Sequence, residues 1–460
     1  MGSALSGESC LCPLSTHEEL ESPMEPATAG PYPRRGITLA TRQAPTLMAD
    51  PAWRDQVAQA MTGGHRKRGP LAFALLAFVF VTVMAGTTLP TPLYVIYEAQ
   101  FSFSPLMTSI IYATYAIAVI IVLLLAGRSS DQVGRKPVIV AALCTSALSA
   151  VTFILAPDVV VLFVGRVISG LSAGLMTGAA TAALTELYRG SAPRRASLVA
   201  TCVNIGGLGT GPLIAGLFSQ YAPDPTTTVF EVYLGLLAVA ALCLWFIPET
   251  VTQRQPLVLR YAGLGIPEHG RGQFIAAAVA GFASFALFGL FSSVVPGFLE
   301  KILNQPNHAI QGSVVFAGFA LGVITQIAVY RFDSRRVVLG GLSVFFPALA
   351  LITVALRLAS LNLFLAGICV SGVAVGAIFV GSLTIANRLA PPERRAQVVS
   401  TFFVACYLGL IIPVIGVGIL SRFLAVFSAV LTLAIVLGVM CLYSLARTLA
   451  TKELTTKPGP

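Results

Sequence analysis

Charge is what this chain has least of. Only 10% of its 460 residues are Asp, Glu, Lys or Arg, against about 25% in soluble domains, so the solvating surface of an ordinary soluble enzyme is missing. Histidine is nearly as scarce: His17, His65, His269 and His308 all lie outside the long apolar runs. No His pair, Ser–His arrangement or phosphate-binding loop is present, which leaves no basis for hydrolytic catalysis or for an ATP-fuelled pump. Six of the eight cysteines sit inside apolar runs as small hydrophobes. The other two, Cys10 and Cys12, form a lone CxC, short of the four ligands zinc requires. Neither metal nor cofactor is expected. A net charge of +10 would suit nucleic acid if the cations gathered on one soluble face. They instead flank apolar runs, so no nucleic-acid partner is expected.

Residues 1–68 are rich in Pro, Ser, Gly and Glu and lack helical periodicity. They read as a disordered cytosolic tail, with Met48 and Met61 as alternative starts, and Cys10–Leu14 is too short an apolar core for a signal peptide. From Leu71 onward, twelve apolar runs follow, each long enough to span ~30 Å of hydrocarbon as a helix. The expected organisation is a six-helix bundle over 69–248, a cytosolic linker over 249–272, a second six-helix bundle over 273–447 and a short tail over 448–460. Placing both termini in the cytoplasm puts 25 of the 29 Lys/Arg on the cytosolic side, as the positive-inside bias requires. The expected fold class is therefore an all-α integral membrane protein, multi-pass in the cell inner (plasma) membrane, with the lipid bilayer as its partner.

The two halves echo one another. Ile168-Ser-Gly-Leu-Ser-Ala-Gly174 matches Val370-Ser-Gly-Val-Ala-Val-Gly376, an offset of 202 positions. Pro193-Arg-Arg-Ala196 recurs as Glu393-Arg-Arg-Ala396, and Gly211-Pro212 as Ile412-Pro413. Asp131 before Arg135-Lys136 recurs as Asp333 before Arg335-Arg336, two residues tighter. Repeated halves around a midplane site are how secondary transporters are built.

Three motifs carry chemistry. Between runs two and three, Gly127, Asp131, Gly134, Arg135 and Lys136 form a tight charged loop, in which Asp131 is expected to reach a neighbouring helix N-terminus. In run four, Arg166 lies in Gly165-Arg-Val-Ile-Ser-Gly170. A cation there costs roughly 2.5–3.5 kcal/mol unless paired or hydrated, so it is expected to face the central cavity, toward run one or a bound ligand. In run five, Gly207, Gly211, Pro212 and Gly216 combine a smooth face with a proline that frees a carbonyl.

This set resembles the loop, Arg-x-x-Gln-Gly and Gly-x-x-x-Gly-Pro signatures of the major facilitator superfamily, with Ser129, Gln132, Ser169 and Ala215 departing from the usual residues. The resemblance covers about residues 69–447. It implies two six-helix bundles related by a two-fold axis and alternating access, and the run-five motif is typical of the antiporter branches. The expected function is export of small molecules, drug-like compounds or metabolites, with protons as the coupling ion. A facilitator or importer of sugars or organic anions is the second reading, and a non-transporting receptor or scaffold the third. Run one contains no acid, and no later run has one near its middle. Arg166 is accordingly expected to be neutralised by an anionic or acceptor-rich substrate, or by carbonyls and hydroxyls around Thr82, Thr87 and Thr88. Cavity lining is expected from Thr82, Asn204, Ser284, Phe285, Phe288, Gln326, Asn387 and Tyr407.

Overall fold

A backbone with no water to bond must satisfy its own N–H and C=O groups, and in long apolar runs it does so as helix. The computed structural model describes residues 69–450 other than 128, 189–192, 252–253, 259–260, 262, 294, 302–304 and 392–393. The expected tail over 1–68, the Cys10–Cys12 pair and residues 451–460 lie outside the described residues.

Among the described residues, twelve helices are long and apolar enough to cross a membrane. They are α1 (Gly69–Thr88), α2 (Pro105–Leu125), α3 (Arg135–Ile154), α4 (Val159–Leu187), α5 (Pro193–Tyr221) and α6 (Pro225–Trp245), then α7 (Arg271–Ser293), α8 (His308–Val329), α9 (Ser334–Leu358), α10 (Leu361–Leu389), α11 (Arg395–Leu420) and α12 (Val426–Ala450). Local chemistry sets several starts. Pro105 and Pro225 open α2 and α6, where a missing N–H costs nothing. Asp158 and Asn307 cap α4 and α8, accepting from Val161 N at 3.0 Å and Ile310 N at 3.1 Å. Three short helices not anticipated from the sequence, Tyr94–Phe101, Ser129–Val133 and Val295–Lys301, occupy joints between the long ones.

The packing is a repeat. In the first set α1 packs on α4, α5 and α6, α4 on α2, α3 and α5, and α6 on α3 and α5. Adding six to each number gives the contacts of the second set: α7 on α10, α11 and α12, α10 on α8, α9 and α11, and α12 on α9 and α11. The main contacts between sets are α5 with α8 and α2 with α11, and the same operation exchanges them. Two pseudo-symmetric bundles of six result. The helices at the periphery, α6, α9 and α12, have the smallest buried shares (33%, 33% and 28%), whereas α7 is 72% buried; lipid solvates apolar faces that water would not. An even number of crossings puts Gly69 and Ala450 on one side, called the near side below; the other is the far side.

Candidate functional site

Arg166 is fully buried in the first bundle. Its Nη1 donates to the Thr87 carbonyl at 2.5 Å and its Nε to the Tyr94 hydroxyl. The guanidinium carbon lies 5.0–5.9 Å from the ring centroids of Tyr94, Tyr112, Tyr115 and Phe153, a cation–π cage worth about 0.5–2 kcal/mol. Arg166 thus turns toward run one as expected, but it is buried rather than open to a cavity: the end of α1 and the helix after it bring a carbonyl and a phenol to the cation. Thr82 and Thr88 do not join the cage. Thr82 bonds Phe78 O on its own helix at 3.0 Å.

Thr88 serves Pro212 instead. Proline has no N–H, so the carbonyl four residues earlier loses its helix donor; Leu208 O takes the Thr88 hydroxyl at 2.7 Å. The glycines of α5 divide between two faces. A Cβ at Gly207 would lie 2.9 Å from Val81 O on α1, and Gly211 likewise presses on α1 at the Ala85 carbonyl. The seam against the other bundle belongs to Gly209 and Gly216: added Cβ atoms would meet Phe319 Cβ at 2.6 Å and His308 O at 2.5 Å. At the far side Gly418 of α11 faces α2, where its Cβ would stand 3.1 Å from Ser109 Cβ. Both inter-bundle seams are therefore close at the far side.

The charged loop is pinned at the near side. Arg135 pairs with Asp131, donates to Glu186 Oε1 at 2.7 Å and to Ser130 Oγ at 2.7 Å. The expectation that Asp131 reaches a neighbouring helix N-terminus is corrected: it lies in the first turn of the short helix Ser129–Val133 and pairs with Arg135. Glu249, just past α6, takes that place at α3, accepting from Arg135 N at 2.9 Å and Lys136 N at 3.1 Å, where a carboxylate meets the positive end of the helix dipole. Gly134 makes room for it. Its φ is +110° and a Cβ would stand 2.6 Å from Glu249 Oε2. Lys136 Nζ reaches the Ile247 carbonyl at the end of α6, 3.1 Å away. Gly127 ends α2, its Cβ position close to the Leu123 carbonyl. Gln132 ties the loop to the segment after α6: its O accepts from Gln255 N at 2.7 Å and its Oε1 from Val258 N at 3.0 Å. In the second copy the tighter spacing lets Asp333 cap α9 directly, accepting from Arg335 N at 2.9 Å.

Most residues expected to line a cavity are packed instead. Ser284 bonds Ala280 O at 2.8 Å, Asn204 donates to Thr177 Oγ1 at 3.5 Å, and Gln326 is buried with neither amide atom bonded. Phe285, Phe288 and Tyr407 belong to an aromatic cluster: Phe285 stands edge-on to Tyr407 at 5.7 Å, and Phe288 stacks on Phe319 at 4.3 Å. Asn387 is the exception. It lines a near-side cavity of about 270 Å³ bounded by α5 and by α8 to α11. Ser197 and Thr201 of α5 and Thr384 and Asn387 of α10 line it, with apolar walls including Leu198 and Val380. Arg388 and Arg395 border the space. Of this ring, the sequence marks only Asn387; the positions of Arg388 and Arg395 next to apolar runs signal no more than cytosolic anchoring.

Comparison with known proteins agrees with this architecture. Residues 76–331 match the family model described as Major Facilitator Superfamily. The chain is 26% identical to "Tetracycline resistance protein, class E" of Escherichia coli over 47% of its own length and 63% of that protein. It is 28% identical to the class G protein of Vibrio anguillarum over 27% of this chain and 32% of that one. An "Uncharacterized transporter" of Rickettsia bellii is 31% identical over 32% of this chain and 36% of its own. The chain thus spans less than two thirds of the length of these curated relatives. Among solved structures, the human organic anion transporter MFSD10 (TETRAN) superimposes with a TM-score of 0.61 at 17% identity, covering 83% of this chain and 99% of that one; the two share a fold.

Proposed function

We propose, from the premise that this chain belongs to the Major Facilitator Superfamily, that it is a secondary transporter exporting small drug-like compounds or metabolites by alternating access. The observation that carries the reading is the difference between the two sides of the molecule. At the far side, α5 meets α8 and α2 meets α11 with glycine against backbone or Cβ. At the near side a cavity of about 270 Å³ lies between α5 and α8–α11, with Arg195 at the start of α5 reaching Tyr330 at the end of α8. A carrier with glycine-tight seams at one side and a cavity between its bundles at the other has the asymmetry expected of one of two interconverting states. With the near side cytosolic, as the distribution of Lys/Arg favours, the cavity receives cargo from inside a plasma membrane and export follows. The printed names of the tetracycline resistance relatives support a drug-like cargo. The proton part of the reading rests on the α5 motif, whose Gly-x-x-x-Gly-Pro run resembles antiporter branches.

Reconstituted proteoliposomes test it. Neutral, cationic and anionic fluorescent compounds are followed with and without an imposed pH gradient, with a pH dye reporting proton movement. Gradient-dependent flux of at least one compound against opposing protons is expected. Equal flux without the gradient would support the facilitator reading, and no movement of any compound would remove the transporter reading.

A further inference from the structure

We infer that the near-side cavity recognises a small organic anion with an apolar body, and that Arg388 and Arg395 select it by charge. The inference rests on the transporter reading of this cavity and names the chemistry of its cargo. Arg395 gives Nε and Nη2 to the neutral Asn387 Oδ1 at 3.3 and 3.2 Å, which orients the guanidinium without cancelling its charge. Arg388 donates to Ser334 Oγ at 3.2 Å and lies 3.8 Å from Asp333 Oδ1, an exposed and loose pair. Asp333 is itself engaged in capping α9 through Arg335 N. Apart from the two arginines, the polar lining is hydroxyl and amide, and the walls include Leu, Val and Phe side chains. At about 270 Å³ the space is close to the lower limit of ~300 Å³ for small-molecule pockets.

The positive-inside bias accounts for arginines on this side, but it would be met by arginines anywhere along it. It does not require two of them to border an internal cavity. Nor does it account for a charge inversion in the repeat. Glu186, at the near end of α4, pairs with Arg135 at the start of α3. Arg388 stands 202 positions later at the near end of α10, the offset of the repeat, and pairs with Asp333 at the start of α9. The helix-end position thus changes sign between the halves, Glu186 to Arg388, while its partner shifts from Arg135 to Asp333, which the repeat aligns with Asp131. The side of the cavity built by the second bundle thereby gains a base where the first has an acid.

Binding in nanodiscs separates the possibilities. The probes are fluorescein, an anion with an aromatic body, and rhodamine 6G, a cation of similar size, followed by fluorescence anisotropy in phosphatidylcholine nanodiscs. Wild-type protein is expected to bind fluorescein more tightly than rhodamine. Arg388→Gln with Arg395→Gln should weaken fluorescein about tenfold or more, the scale of losing charge-assisted hydrogen bonds. Asp333→Asn keeps an acceptor for the α9 cap and should tighten fluorescein about two- to fivefold by removing the competing charge. Unchanged fluorescein affinity in the double variant with no gain in Asp333→Asn, or preference of the wild type for rhodamine, would overturn the inference. So would loss of arginine-dependent binding in phosphatidylglycerol nanodiscs, because a lipid headgroup would then be the occupant. The two readings fail separately. Arginine-dependent fluorescein binding with no flux of any compound removes the transporter reading and leaves the anion site. Flux of neutral or cationic compounds with arginine-independent fluorescein binding does the reverse.

Discussion

Pro212 takes a donor out of α5, and a hydroxyl from another helix replaces it: Thr88 to Leu208 O at 2.7 Å. Thr88→Val keeps the shape and leaves that carbonyl unpaired, so purified protein should lose about 1–3 kcal/mol of stability, read as a lower thermal midpoint. Adding Pro212→Ala supplies an N–H at 212 and should recover most of the loss; a double variant no more stable than Thr88→Val would show that the pair is not coupled. Thr88 and Pro212 are visible as residue types in the sequence, but 120 positions separate the hydroxyl from its acceptor, and no local pattern reports that distance. Arg166 is the same lesson with charge. Its place in an apolar run marks it as a cation needing partners, yet Thr87 O and Tyr94, 79 and 72 positions away, are chosen by how α1 and α4 pack.

At the scale of elements, the turn before α3 and the turn before α9 solve one problem with different residues. Gly134 bends at φ +110° so that Glu249 can lie over the α3 N-terminus, whereas Asp333 caps α9 from within its own turn. Gly134→Ala brings a Cβ into that carboxylate in an unfavourable backbone region, and should cost about 1–3 kcal/mol in thermal unfolding; an unchanged midpoint would mean the turn relaxes freely. Gln132, where the family usually has Arg, holds the segment after α6. Gln132→Ala removes the acceptor for Val258 N and leaves the main-chain acceptor for Gln255 N. Amide exchange should therefore quicken about tenfold at Val258, the equivalent of a 1.4 kcal/mol hydrogen bond, with Gln255 little changed. Equal change at both would point to general loosening instead. The loop was legible as a unit because its glycines and charges are local. Glu249 was not, because an acid a few residues past an apolar run carries no sign of the helix it will cap.

For the whole molecule, alternating access demands that the far side open. Ser109 and Gly418 place Cβ positions 3.1 Å apart across α2 and α11, close to the ~3.5–4.5 Å of a disulfide. Ser109→Cys with Gly418→Cys should cross-link on oxidation, abolish flux in proteoliposomes and regain it with reductant. Undiminished flux in cross-linked protein would end the alternating-access reading. The number of crossings, the repeat and the crowding of cations on one side were all determined by the sequence alone, since a span needs only about 20 apolar residues and a short loop only its charges. Which face of each helix meets which neighbour was decided by tertiary structure. Helices apolar all round carry no stripe to announce their inner side, so Ser284 and Phe288 look as suited to a cavity as Asn387 does. Only the packing of α5 against α8–α11 separates the residue that lines the cavity from those that fill the core.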